Sequence, residues 1–120
     1  MSKINSPTYK EERPWGWFEI LSDTPDYKVK RIIIHSGKRL SLQRHRYRNE
    51  HWYILSGEAL ITMDNREIEL HRGESIDIAC DTLHRIANNG NEDLIVVEIQ
   101  TGSYFGEDDI ERIADDFGRI

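Results

Sequence analysis

The chain has 120 residues, 38% of them hydrophobic and 32% charged, with a formal net charge of -6. That size favours one domain around one core, and the acidic balance argues against general nucleic-acid binding. No apolar run approaches the roughly 20 residues of a transmembrane helix.

The opening "MSKINSPTYKEERPW" lacks the apolar stretch of a signal peptide, so nothing points to export or to a membrane. Residues 1–14 read as a polar N-terminal arm ending at Pro14, and 15–120 as a single domain. From "WGWFEIL" onward the chain is a series of short strands. "WFEIL", "YKVKRIIIH", "RLSLQRH", "HWYIL", "EALITM", "REIEL", "SIDIA", "HRIAN" and "LIVVEIQ" are separated by turn signals such as Thr24-Pro25-Asp26, Ser56-Gly57 and Asp64-Asn65. This spacing predicts an all-β sandwich or barrel, and no helical-period segment lies between the strands to suggest βαβ units. One helix is expected, at the end: Ile110, Ile113, Ala114 and Phe117 align an apolar stripe, acids crowd its start and Gly118 supplies a stop.

A single cysteine, Cys80, excludes an intramolecular disulfide framework and agrees with a reducing cytoplasm; without a Cys neighbour it reads as a small packing residue. Charge is segregated. Eight cations between Lys28 and Arg48 have no Asp or Glu among them, whereas Glu107 to Asp116 holds six acids against Arg112 alone. Two solvated faces would explain this, and so would a basic wall that attracts a small anion such as a sugar phosphate.

The stretch "SLQRHRYRNEHWYILSG" concentrates possible ligands. By strand alternation Arg39, Ser41, Gln43 and His45 share a face, with Gln43 and His45 about 7 Å apart. A turn then lets Glu50 enter from the next strand, and His84 follows a distant turn. Amide oxygen, imidazole and carboxylate form a mixed N/O set suited to Zn²⁺, Fe²⁺, Mn²⁺ or Ni²⁺. His51 has the opposite parity to Glu50 and points away, while His35 and His71 take structural readings.

Gly37, Gln43, His45, Glu50 and Gly57 match the spacing of the first cupin motif, with Gln43 where many cupins have His. Gly73, Ala79, Asp81, His84 and Asn88 fit the second, with Ala79 and Asp81 in place of the usual Pro and Gly. More narrowly, "RPWGWFEIL", "QRHRYRNEHW", "LSGEALIT" and "QTGSYFGEDDIER" resemble the C-terminal phosphomannose isomerase domain of type II mannose-6-phosphate isomerase/mannose-1-phosphate guanylyltransferases, here as a free-standing domain without the guanylyltransferase part. Tyr47 departs from that pattern at a His, and Ser36 and Ala79 at Pro.

The resemblance implies a cupin fold, a double-stranded β-helix or jelly-roll barrel with the short C-terminal helix. It implies one divalent metal on Gln43, His45, Glu50 and His84, Zn first and Mn, Fe, Ni or Co as alternatives. It further implies conversion of mannose 6-phosphate to fructose 6-phosphate through an enediol, in a cytoplasmic homodimer with a small phosphosugar as the partner. Arg39 is the first choice to hold the phosphate, with Arg85 and Arg119 behind it, since Arg39 shares the ligand face. Lys30 and Asp77 are the candidates for proton transfer, and Trp15 and Trp17 could wall the site. The competing expectation is a metal-bearing cupin that binds a sugar or nucleotide-sugar without turnover.

Overall fold

Period-two alternation builds almost the whole molecule. In a computed structural model that describes residues 9–119, eleven strands follow one another. They are β1 (Tyr9–Arg13), β2 (Gly16–Asp23), β3 (Tyr27–Ile34), β4 (Leu42–Arg44), β5 (Arg48–Ser56), β6 (Glu58–Met63), β7 (Arg66–His71), β8 (Ser75–Ile78), β9 (His84–Asn88), β10 (Leu94–Gly102) and β11 (Glu111–Ala114). Each of the nine runs read as strands from the sequence overlaps one of β2 to β10. Two antiparallel sheets result, ordered β1-β2-β3-β10-β5-β8 and β11-β4-β9-β6-β7, and they form the double-stranded β-helix expected.

Inward-facing rows run across neighbouring strands and change character along the barrel. Ile32, Val96 and Ile54 form one row of β3, β10 and β5; Lys30, Glu98 and Trp52 form the next; Lys28, Gln100 and Glu50 form the third. Hydrophobic burial is worth about 1.5–3 kcal/mol per large side chain. It is concentrated at one end of the lumen, in Ile34, Ile54, Ile61, Ile86 and Leu94. There the buried Asn88 amide donates to the carbonyls of Ile34 and Glu92, which closes that end. The polar rows lie toward the other end and leave a cavity.

The C-terminal segment is not the helix expected. Glu107–Asp109 makes a single 3₁₀ turn and Glu111–Ala114 is β11, paired with β4. Eight residues are too few to hold a helix against a nucleation cost, and the edge of β4 offers ready backbone partners. Asp109 fixes the entry to this strand, because its carboxylate accepts the N–H groups of Arg46 and Tyr47, both at 3.1 Å. Tyr9–Arg13, inside the stretch read as an arm, is strand β1 against β2; residues 1–8 lie outside the described part. Gly102 permits the close passage of β10 beside β5, since a Cβ there would sit 2.3 Å from the Tyr47 carbonyl oxygen.

Candidate metal centre

Strand β5 presents Arg48, Glu50, Trp52 and Ile54 inward by strict alternation. His45 sits in the turn before it, only 2% exposed, with its carbonyl accepting the Asp81 N–H at 2.7 Å. Asp81 occupies the cupin glycine position with φ +65°, a left-handed conformation that Asp tolerates better than most residues. His84 opens β9 directly opposite Gln43 on β4. Local strand register therefore brings Gln43, His45, Glu50 and His84 to one part of the lumen.

His45, Glu50 and His84 are all buried, and one potential ligand atom of each lies within 4.8 Å of the others. His45 Nδ1 is 3.5 Å from Glu50 Oε2, and His84 Nε2 is 3.6 Å from Glu50 Oε1. His84 Nδ1 must donate to the Thr82 carbonyl at 2.8 Å, so its Nε2 keeps a lone pair turned to the site. The Gln43 amide nitrogen donates to Ser41 Oγ at 2.9 Å, which leaves the amide oxygen available.

Burial, helped by the Arg48 charge and by His84, lowers the His45 pKa to about 3, and burial lowers that of His84. Both imidazoles are therefore neutral near pH 7, the form that binds metals. Burial raises Glu50 well above the carboxylate range, and the nearby Glu98 charge adds to this. Burial also works against the Glu98 charge, but Lys30 and Arg48 outweigh it and hold that group at about 2.

Glu50 Oε1 is buried with no hydrogen-bond partner among the described residues. An acceptor so placed between neutral imidazoles fits a divalent cation, and the carboxyl, imidazole and amide donors suit zinc or another borderline metal.

The other candidates divide between the cavity and the surface. Lys30 is buried and lines the cavity, its Nζ 3.6 Å from Glu107 and 4.4 Å over the Phe18 ring. Asp77 does not face the lumen: its side chain is 88% exposed and accepts from His51 Nδ1 at 2.6 Å. Its strand neighbours Ile76 and Ile78 take the inward positions, which sends Asp77 out. Arg39 is also outside, in a paired hydrogen bond with Asp116 at 2.7 and 2.8 Å. The extended run is interrupted between an isolated bridge at Arg39 and the start of β4 at Leu42, so alternation does not carry through.

Arg85 and Arg119 do line the cavity, as does Trp15, whereas Trp17 packs outside under Lys10 and Arg31. Cys80 is exposed in a turn rather than packed, since its N–H is held there by Asn49 Oδ1.

Three polar groups of the interior carried no sequence assignment. Arg48 places Nη2 2.8 Å from His45 Nε2 and Nε 3.0 Å from Glu50 Oε2. Glu98 Oε2 accepts the Trp52 indole N–H at 3.0 Å, and Arg112 lines the cavity from β11. Parity could have found the first two: Arg48 shares a face with Glu50, and Glu98 with Val96. Arg112 was hidden by the helical reading of its segment.

Barrel and site together define a double-stranded β-helix protein whose polar lumen can hold a metal ion. The chain belongs to the mannose-6-phosphate isomerase C-terminal family, whose pattern matches residues 3–115. It is 44% identical over 107 residues to alginate biosynthesis protein AlgA of Pseudomonas aeruginosa, covering 89% of this chain and 22% of that one. It is 43% identical over 104 residues to a mannose-1-phosphate guanylyltransferase of Sinorhizobium fredii, covering 87% and 20%.

The chain thus spans about a fifth of the length of these curated relatives. A solved Klebsiella pneumoniae protein with a double-stranded β-helix domain superposes with a TM-score of 0.72 at 20% identity, over 94% of this chain and 90% of that one. No described helix is long and apolar enough to cross a membrane.

Proposed function

We propose that the chain is a metal-dependent mannose-6-phosphate isomerase domain acting on mannose 6-phosphate and fructose 6-phosphate. The observation that carries this is the unpartnered Glu50 Oε1 between two neutral imidazoles, inside a cation-lined cavity of a chain of this family. Gln43, His45, Glu50 and His84 would hold the ion, with zinc the first choice for such donors. When bound, a divalent cation supplies Lewis acidity at the sugar carbonyl.

The protein's own groups do the rest. The reaction moves a proton between C1 and C2 and develops negative charge on oxygen. Lys30 Nζ, buried and facing the cavity, is the group to carry that proton: as the amine it takes it from one carbon, and as the ammonium it hydrogen-bonds to the oxygen and returns the proton to the other carbon. Trp15, Phe18 and Trp52 narrow the cavity and exclude water around the reacting carbons.

A second reading, phosphosugar binding without turnover, is favoured by one observation. With Asp77 outside, no carboxylate lining the described cavity is left over for proton transfer. Glu50 Oε2 accepts from Arg48 and its Oε1 is the proposed ligand atom, Glu98 accepts from Trp52 and Gln100, and Glu107 meets Lys30. A coupled isomerase assay separates the two readings, run after reconstitution with Zn²⁺, Mn²⁺, Fe²⁺, Ni²⁺ and Co²⁺ separately and paired with metal analysis. Wild type should bind about one ion and turn over mannose 6-phosphate, while Glu50→Gln and His84→Ala stay folded and lose the ion. Metal and phosphosugar binding with no turnover would select the second reading. Full metal occupancy in either variant would sink the ligand assignment.

A further inference from the structure

We propose that Arg112 is the residue that grips the phosphate of a phosphosugar in this cavity. This rests on the phosphosugar reading above and names the contact that such a ligand would make.

Among the described residues, six cationic side chains line the cavity: Arg13, Lys30, Arg48, Arg85, Arg112 and Arg119. Five are already engaged. Arg13 pairs with Glu11, Lys30 with Glu107, and Arg48 with Glu50 and His45. Arg85 donates to the carbonyls of Leu40 and Ala114, and Arg119 forks onto Asp115 at 2.9 and 2.8 Å. Arg112 alone has no such partner among the described residues, and its Nε is buried without a hydrogen bond.

This is unexpected in so acidic a segment, and the acids explain it. Glu107 faces Lys30, Asp108 takes the Tyr104 hydroxyl, and Asp109 holds the N–H groups of Arg46 and Tyr47. Glu111 pairs with Arg44, Asp115 with Arg119 and Asp116 with Arg39. Every acid around Arg112 is held elsewhere. A buried guanidinium N–H left without an acceptor is costly, and an entering anion removes that cost.

Position supports the assignment. Arg112 lies across the ladder from Gln43, and Gln43 lies across from His84. The three form one row on the lumen side, and two strand spacings separate the Arg112 backbone from that of His84, about 10 Å. A hexose phosphate carries its reacting carbons at one end and its dianion at the other. With the reacting end at the candidate metal centre, the phosphate lies toward Arg112, whose planar fork matches two phosphate oxygens.

The test is calorimetric titration of the full chain with fructose 6-phosphate, with zinc, and with inorganic phosphate, without metal. Arg112→Gln should weaken fructose 6-phosphate binding roughly 10- to 100-fold while zinc content and melting behaviour stay as in wild type. Inorganic phosphate binding should fall in parallel. Arg112→Lys should restore part of both, and Arg66→Gln on exposed β7 should change neither. Binding of both anions by Arg112→Gln as tightly as by wild type overturns the proposal. So does a wild type that binds neither anion. Because the phosphate arm needs no metal, a chain that fails to take up zinc yet loses phosphate binding on Arg112→Gln refutes the metal centre and leaves this contact standing.

Discussion

Lys30, Glu98 and Trp52 face one another across three strands, and their balance decides whether the polar half of the lumen is tolerable. Glu98 is 5% exposed, Lys30 7%. A buried charge survives only with compensation, and removing one partner leaves the other stranded. Glu98→Leu should therefore cost roughly 3 kcal/mol or more, read by urea unfolding, because Lys30 keeps only half-exposed Glu107 and the Trp52 indole N–H loses its acceptor. A loss below about 1 kcal/mol would show that Glu107 and the Phe18 ring suffice for Lys30.

At this scale the sequence was informative where motif spacing or strand parity fixed a residue. His45, Glu50 and His84 could be picked out by spacing, and Arg48 and Glu98 could have been by parity. Arg39 could not, because its strand is interrupted before Leu42, and Asp77 was misplaced although Ile76 and Ile78 on either side already marked the inward face.

Strand β11 is the element that propensity described least well. Ile110, Ile113, Ala114 and Phe117 sit at helical intervals, yet Ile113 is 43% exposed and Arg112 and Ala114 face inward instead. Local periodicity in a short segment yields to a tertiary partner, here the open edge of β4. The nine runs read as strands had no such helical competitor, since turn residues bounded them and alternation ran through most of them. If Asp109 anchors β11 through the Arg46 and Tyr47 amides, Asp109→Ala should lower stability by about 1–2 kcal/mol. It should also speed hydrogen exchange at those two amides while leaving β3, β5 and β10 protected. Unchanged exchange there would mean that the ladder with β4 suffices to hold the strand.

Across the whole molecule, acid stability has a readable contribution from the closing segment. Asp115 has an ordinary pKa of 3.8, lowered to about 2 chiefly by hydrogen bonds from Arg119. A carboxylate held down in the folded state stabilises above its unfolded pKa and ceases to as pH falls through the folded one. Asp115→Asn should therefore be about 1–2 kcal/mol less stable than wild type at pH 7, and the gap should close between about pH 4 and pH 2. A gap that persists at pH 2 would assign the loss to packing.

The closure made by Asn88 and the isoleucines at the far end has a kinetic meaning as well. Among the described residues that end of the lumen is shut, so a molecule bound in the cavity must leave by the polar end before the next can take its place. Traffic of that kind makes the two sugars of the proposed reaction rivals for a single seat, and each should inhibit the other competitively and never by mixed kinetics.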